Sequence, residues 1–166
     1  MIPTSPEQFN SDWLEDRLGA PQGSLADFSS AALGTGQMCD SFRLTLNWQG
    51  HDGPDTIIAK CPSHDDQSRN IAALLGSYAR EVNWYRELAG KSAVSRPHCY
   101  HAEIADNRID FALLLADCAP ARQGDQLAGA NTDTLRPAIM QLAALHAPFW
   151  NKDVAIDHPW IANDSR

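Results

Sequence analysis

This sequence contains three kinds of residue that could jointly bind a phosphate group. Gly34 and Gly36 form a G-x-G bend in "LGTGQMCDSFRL", where a backbone without side chains can approach an anion closely. Lys60 ends the apolar run "TIIAK", and Glu81 follows in "YAREVNWY". A lysine can neutralise phosphate charge, and a carboxylate can hold that lysine in place. The bend alone also fits a dinucleotide-binding turn or an ordinary hairpin.

Hydrophobic periodicity predicts the elements that must position these residues. Ser5 is a predicted helix N-cap, with Gln8 completing a capping box and Gly19 ending the helix. Alternating patterns predict strands, and a 3.6-residue period predicts two later helices. In chain order we expect a helix over 5–19, strands from Asp27 to the glycines, over 42–48 and over 56–60, a helix over 70–89, strands over 98–104 and 111–117, and a helix over 134–150.

The order of these elements argues against a dinucleotide-binding turn at the glycines. A dinucleotide-binding fingerprint places its glycines after a strand and before a helix, whereas the residues after Gly36 begin a strand. A glycine turn between two antiparallel strands can instead lie as a flap over nucleotide phosphates. Such a flap requires a lysine on the third strand and a carboxylate on the next helix. Lys60 and Glu81 occupy those two positions.

Glu81 shares the apolar stripe of its predicted helix with Tyr78 and Tyr85. A carboxylate among apolar neighbours costs on the order of several kcal/mol unless it is paired. The pattern therefore predicts an ion pair between Glu81 and Lys60. Taken singly, each residue also fits a simpler interpretation, in which Lys60 is a solvated strand end and Glu81 lies on the rim of an amphipathic helix.

Composition excludes several classes of function. The chain has 13 basic and 21 acidic residues, a formal charge of −8 and no basic cluster, which argues against a nucleic-acid partner. Four cysteines without a C-x-x-C pair argue against a zinc ribbon or a redox dithiol, and free thiols suggest the cytoplasm. No signal peptide or membrane span is visible, so we expect no membrane partner. His98 and His101 are three apart in a strand, so they should face opposite sides and bind no metal.

Five segments of the chain resemble the N-terminal portion of the aminoglycoside phosphotransferase and choline/ecdysteroid kinase-like superfamily. The resemblance implies an α+β fold: a kinase-like N-lobe with a five-stranded antiparallel sheet and one inserted helix. A leading helix would precede this lobe, giving a nucleotide-binding unit over 1–116, a hinge and linker over 117–133, and the start of an incomplete C-lobe over 134–166. The segments are "LGTGQMCDSFRL", "IIAKCPS", "YAREVNWYRELA", "FALLLADCAPARQGDQLAG" and "LAALHAPFW".

The resemblance also implies roles for individual residues. Lys60 would contact the ATP phosphates and Glu81 would orient it. Cys39 stands where the protein-kinase pattern has its third glycine, which predicts a less mobile flap. The flap over the phosphates would comprise Gly34, Thr35, Gly36 and Gln37, and the hinge against adenine would comprise Leu115, Ala116, Asp117 and Cys118.

The function implied is that of an ATP-dependent small-molecule phosphotransferase that transfers the γ-phosphate to a hydroxyl acceptor. The residues after Trp150 contain no H-G-D-x-x-x-x-N loop and no D-x-D, so we expect the Mg²⁺ ligands in a missing C-lobe and no activity from this chain alone. The helix over 134–150, with Leu135 and Ile139 on its apolar face, would then be exposed and promote self-association. Two alternatives stay open, a non-catalytic nucleotide-binding or interaction module and an α+β domain without a ligand.

Overall fold

A computed structural model describes residues 1–34, 38–122, 124–125 and 127–162 of the chain. Short 3₁₀ turns cover Pro6–Gln8, Ala89–Lys91, Ala147–Phe149 and Pro159–Ile161, and a π-helical turn covers Trp84–Leu88. No helix among the described residues is long and apolar enough to cross a membrane. The strands are β1 (Leu25–Ala32), β2 (Cys39–Trp48), β3 (Thr56–Pro62), β4 (Cys99–Ile104) and β5 (Phe111–Ala116), and the helices are α1 (Ser11–Leu18), α2 (Asp66–Leu74), α3 (Ser77–Asn83), α4 (Thr132–His146) and α5 (Val154–Asp157).

The five strands form one open antiparallel sheet in the order β1-β2-β3-β5-β4. β1, β2 and β3 form a meander, β4 and β5 form a hairpin, and α2 and α3 lie in the connection between these two units. The predicted α+β class and five-stranded antiparallel sheet are thereby confirmed. The closer assignment to a kinase-like lobe, and the division at residues 116 and 133, stay predictions.

One face of the sheet packs against α1. The alternation of β3 sends Ile57, Ala59 and Cys61 to this face, where all three are fully buried. Leu44 of β2 and Leu14 of α1 complete the same cluster. Burying each large aliphatic side chain contributes about 1.5–3 kcal/mol, so this cluster fixes the meander against the first helix.

The opposite face packs against α3. Tyr78 and Val82 of α3 are buried against Phe111 and Leu113 of β5. The rings of Tyr78 and Phe111 lie 4.7 Å apart between centroids, within the range of favourable aromatic contacts. The helix between β3 and β4 is therefore held over the β5 side of the sheet.

The first helix begins later than predicted. Ser5 and Gln8 belong to a single 3₁₀ turn, and Ser5 makes no side-chain cap. Gln8 Oε1 instead accepts the backbone N–H of Thr4 at 2.8 Å. Asn10 is the true N-cap, since its Oδ1 accepts the N–H of Trp13 at 2.9 Å. Gly19 ends the helix in a left-handed conformation at φ 69°, as predicted.

The predicted helix over 70–89 is wrong in its start and its continuity. α2 begins at Asp66, where Asp65 Oδ1 accepts the N–H of Ser68 at 2.7 Å. Gly76 adopts a left-handed φ of 65° and separates α2 from α3. The apolar stripe does not continue through such a break, and Leu74, at the end of α2, is 86% exposed.

The last long helix is exposed on its apolar face. Leu135, Ile139 and Leu142 are 48%, 61% and 51% exposed, and α4 contains no buried residue. The exposed apolar face predicted for this helix is thereby confirmed, since α4 does not pack on the sheet. It is tied to the segment before β4 by hydrogen bonds such as Ser92 Oγ to Ala144 O at 3.2 Å. Trp160, in the 3₁₀ turn Pro159–Ile161, donates its indole N–H to Glu87 of the π-helical turn.

We predict that this apolar face of α4 makes the chain self-associate, because contact between two copies removes apolar surface from water. Sedimentation velocity at rising concentration should show a reversible oligomer. Replacing Ile139→Lys and Leu142→Lys together should return the chain to a monomer. Ile156→Lys, which changes an exposed apolar residue on α5, is the matched control and should leave association unchanged. A wild-type chain that remains monomeric at the highest concentration would contradict the prediction.

Candidate functional site

The glycine segment, residues 34–37, falls in the connection between β1 and β2, of which the structure describes Leu33, Gly34 and Met38. Gly34 adopts a left-handed φ of 68°, which a residue with a side chain rarely tolerates. Thr35, Gly36 and Gln37 lie outside the described residues, so the flap predicted for them stays a prediction. The described chain resumes at Met38 and enters β2 at Cys39.

Lys60 and Glu81 form an ion pair between the sheet and α3. The Nζ of Lys60 donates to Oε1 of Glu81. The Lys60 side chain is 20% exposed and the Glu81 side chain 34% exposed, so the pair is only partly shielded from water. The predicted ion pair is confirmed, and Lys60 is not a solvated strand end.

Strand alternation determines which way Lys60 points. Its neighbours Ala59 and Cys61 are buried on the α1 face, so Lys60 lies with Ile58 on the α3 face. In register, Lys60 stands between Ser41 of β2 and Leu113 of β5. The ammonium group therefore rises from the middle of the sheet rather than from an edge.

Tyr78 connects the end of the glycine segment to the start of α2, a role that the sequence interpretation missed. Its hydroxyl donates to the carbonyl of Met38 and accepts the N–H of Ser63 at 3.2 Å. Burial raises the pKa of this phenol, so the hydroxyl keeps its proton for the donated bond. A tyrosine on a buried stripe usually needs a polar partner, and that rule was the available signal.

The predicted hinge begins at the end of β5. Leu115 and Ala116 are the last two residues of β5, and the N–H of Ala116 donates to the carbonyl of His98 at 2.8 Å. Leu115 lies in register with Ile58, on the side of the sheet that carries Lys60. Cys118 is exposed. The structure thus places the hinge residues at the end of the central strands, and their contact with a base stays a prediction.

Asp117 is held by an arginine from β2. Arg43 Nε donates to Asp117 Oδ2 at 2.6 Å, and the Asp117 side chain is only 8% exposed. The other carboxylate oxygen accepts the N–H of Ala119 at 2.9 Å. The hydrogen bond from Arg43 is the main reason why the pKa of Asp117 lies below its ordinary value. Sequence reasoning missed Arg43, because 74 positions separate it from Asp117.

The two ion pairs border an open part of the sheet. Arg43 is in register with Ile58, two residues along β3 from Lys60, a distance of roughly 7 Å at about 3.3 Å per residue. Beyond β3, on the same side, Ala31 and Thr45 are exposed. We call this surface the open face: the Lys60 side of β1 and β2 together with Ile58. α3 packs near Ile58 and leaves Ala31 and Thr45 exposed.

His101, Asp110 and Asp125 make hydrogen bonds to residues close to them in sequence. His101 Nε2 lies 3.0 Å from Glu103 Oε2 and its ring packs on Trp13, while burial lowers the pKa of the imidazole. Asp125 Oδ1 accepts the N–H of Leu127 at 2.8 Å within a turn. Asp110 accepts Nδ2 of Asn107 at 2.8 Å. Among the residues that the structure describes, no group of three potential ligands could hold a metal ion.

Comparisons with protein-family models, with curated proteins and with solved structures found no match to this chain. The class that the described fold defines is therefore an α+β protein with an open antiparallel sheet. Its candidate site is the lysine–glutamate pair between β3 and α3.

The hydroxyl of Tyr78 should contribute measurably to stability. Tyr78→Phe removes a donor to Met38 and an acceptor for the Ser63 N–H, so we expect a loss of about 1–3 kcal/mol in the free energy of unfolding. Urea unfolding followed by circular dichroism measures it. Tyr85→Phe is the matched control, since the Tyr85 hydroxyl has no hydrogen-bond partner among the described residues, and it should cost far less. Equal effects would contradict the assigned role.

The Arg43–Asp117 pair should make stability depend on pH in acid. The folded-state pKa of Asp117 is lowered, so its contribution is complete above the unfolded-state pKa of about 4 and is lost as pH falls through the folded-state value. Asp117→Asn removes this contribution. The variant should be less stable than the wild type at pH 7, and the difference should shrink below about pH 4. Thermal unfolding from pH 7 to pH 2 measures it, and a constant difference would contradict the assignment.

Proposed function

We propose that this chain is the nucleotide-binding part of an ATP-dependent phosphotransferase that acts on a hydroxyl of a small molecule. The observation that carries the proposal is the ion pair between Lys60 of β3 and Glu81 of α3, the helix whose Tyr78 also binds the carbonyl of Met38. A lysine held this way on the third strand is the arrangement by which kinases grip nucleotide phosphates. The resemblance noted from the sequence supports the same function.

Lys60 would bind phosphate oxygens while Glu81 keeps it in place. An ammonium group has three N–H donors, and Glu81 takes one of them. Two donors are left for the ligand. The glycine segment is anchored nearby, since Tyr78 of the same helix as Glu81 binds the carbonyl of Met38. Gly34, Thr35, Gly36 and Gln37 would then close over the phosphates.

The open face supports an adenine site between the glycine segment and the hinge. Ile58 and Leu115 supply apolar side chains on the Lys60 side of the sheet. The N–H of Ala116 already binds the carbonyl of His98, so recognition of the base edge would fall on backbone groups of Asp117 and Cys118. Arg43 fixes the Asp117 carboxylate, which prevents that side chain from competing for the base.

The described residues do not fit a magnesium site. No group of three acidic, histidine or cysteine side chains among them could hold a metal ion. The Mg²⁺ ligands and the acceptor-positioning aspartate would have to be supplied by a C-lobe of the kind found in the superfamily that the sequence resembles. We therefore assign nucleotide binding to this chain and expect no transfer to a hydroxyl acceptor by it alone. The charge of −8 gives no reason to add a nucleic-acid partner.

Nucleotide titrations test this proposal. A fluorescent ATP analogue should bind the wild-type chain weakly and saturably, and Lys60→Ala should weaken binding about tenfold, because charge-assisted hydrogen bonds to phosphate are lost. Glu81→Gln should give a smaller loss, since the lysine remains but is less well oriented. Adenosine, which has no phosphates, should bind both Lys60 forms equally.

The matched control is Lys91→Ala, which removes an exposed lysine from a 3₁₀ turn without touching the site. It should bind ATP as the wild type does. Thermal unfolding of every variant shows whether a loss of affinity reflects a loss of folding. The proposal fails if the wild type shows no saturable binding, or if folded Lys60→Ala binds ATP with unchanged affinity.

A further inference from the structure

A second concave site lies away from the open face, at the corner between α2 and α3. The cavity has a volume of about 610 Å³, within the range of small-molecule sites. The corner at Gly76, the turn between β4 and β5, and the 3₁₀ turn Pro159–Ile161 enclose it. Nothing in the proposed nucleotide function uses these three segments together.

The walls of this cavity are largely apolar. Leu74 and Leu75 are 86% and 39% exposed, although both are large hydrophobic residues next to a helix end. Ile109 and Trp160 line the facing side. The indole Nε1 of Trp160 donates to Glu87 at 2.8 Å, which holds the ring in its place on the wall. Such a surface favours an apolar ligand body.

Two arginines also line this cavity, Arg80 on α3 and Arg108 in the β4–β5 turn. Arg108 adopts a left-handed φ of 60° within this turn, where its backbone N–H donates to the carbonyl of Ala105 at 2.9 Å. Its Nη2 lies 3.8 Å from the position that a β-carbon on Gly76 would occupy, so the guanidinium reaches across to the helix corner.

The charge of this cavity contrasts with that of the chain. The whole sequence carries −8, yet no acidic side chain is among the described residues that line the cavity. Within the described part of the chain, Arg108 forms no ion pair. Planar guanidinium groups bind carboxylates through paired hydrogen bonds. From the apolar walls and the cationic rim together, we propose that this cavity binds a small organic anion, with an apolar body and one carboxylate.

In this arrangement the apolar body would lie between Leu74, Ile109 and Trp160, and the carboxylate would face Arg108 with Arg80 on the same rim. The proposal does not rest on nucleotide binding. A chain that fails to bind ATP would still bind the anion, so the two proposals fail separately.

Binding of naphthalene-2-carboxylate to the full chain tests the proposal. Isothermal titration should give saturable binding, and the indole N–H resonance of Trp160 should shift during the titration in ¹H–¹⁵N spectra. The neutral naphthalene-2-carboxamide should bind at least about tenfold more weakly, because it lacks the charge. Inorganic phosphate, which lacks the apolar body, should not shift the Trp160 resonance.

Arg108→Asn removes the cation while keeping a residue that tolerates the left-handed conformation. It should weaken binding of the carboxylate about tenfold and bring it close to that of the carboxamide. Arg136→Ala, on the exposed α4, is the matched control and should bind as the wild type does. The proposal is overturned if the carboxylate does not bind, if carboxylate and carboxamide bind equally, or if folded Arg108→Asn binds with wild-type affinity.

Discussion

The ion pair between Lys60 and Glu81 and the burial of Tyr78 and Val82 together hold α3 on the sheet. A lysine in the middle of β3 must find an anion on the side where Ile58 and Leu113 are apolar, and α3 supplies it. Tyr78 and Val82 are buried close to Glu81 on the same helix, so hydrophobic packing and charge pairing require the same helix orientation. The open face exists because α3, held in that orientation over β4 and β5, leaves β1 and β2 uncovered.

Sequence patterns were sufficient for the sheet and for the central pair. The alternation in β2 is strict, and a one-residue shift would expose an entire buried face, so that strand was predictable from period alone, while β3 was predicted from its short apolar run. Glu81 was predictable as the partner of Lys60 because a carboxylate on an apolar stripe needs a cation. These inferences depend on local spacing and on one rule of burial, and neither requires knowledge of distant contacts.

Other features depended on which of several possible local structures or distant contacts forms, and the sequence alone does not show this. The helix around residue 76 continues by periodicity, but Gly76 adopts a left-handed conformation and ends it. Asn10 replaced Ser5 as N-cap, although both residue types are good caps. Arg43 and Asp117 are paired only because β2 and β5 both border β3. Periodicity identified the apolar face of α4, but it does not show what covers such a face.

The order of strands also has a consequence for how the sheet is assembled. Neighbouring strands joined by short connections, β1 with β2, β2 with β3, and β4 with β5, pair locally. The seam between β3 and β5 instead joins segments separated by residues 63–110, which include α2 and α3. Closing this long loop costs more entropy than closing the short connection of a hairpin. Lys60 lies on that seam, opposite Leu113, so its place between β2 and β5 exists only once the two halves of the sheet have met.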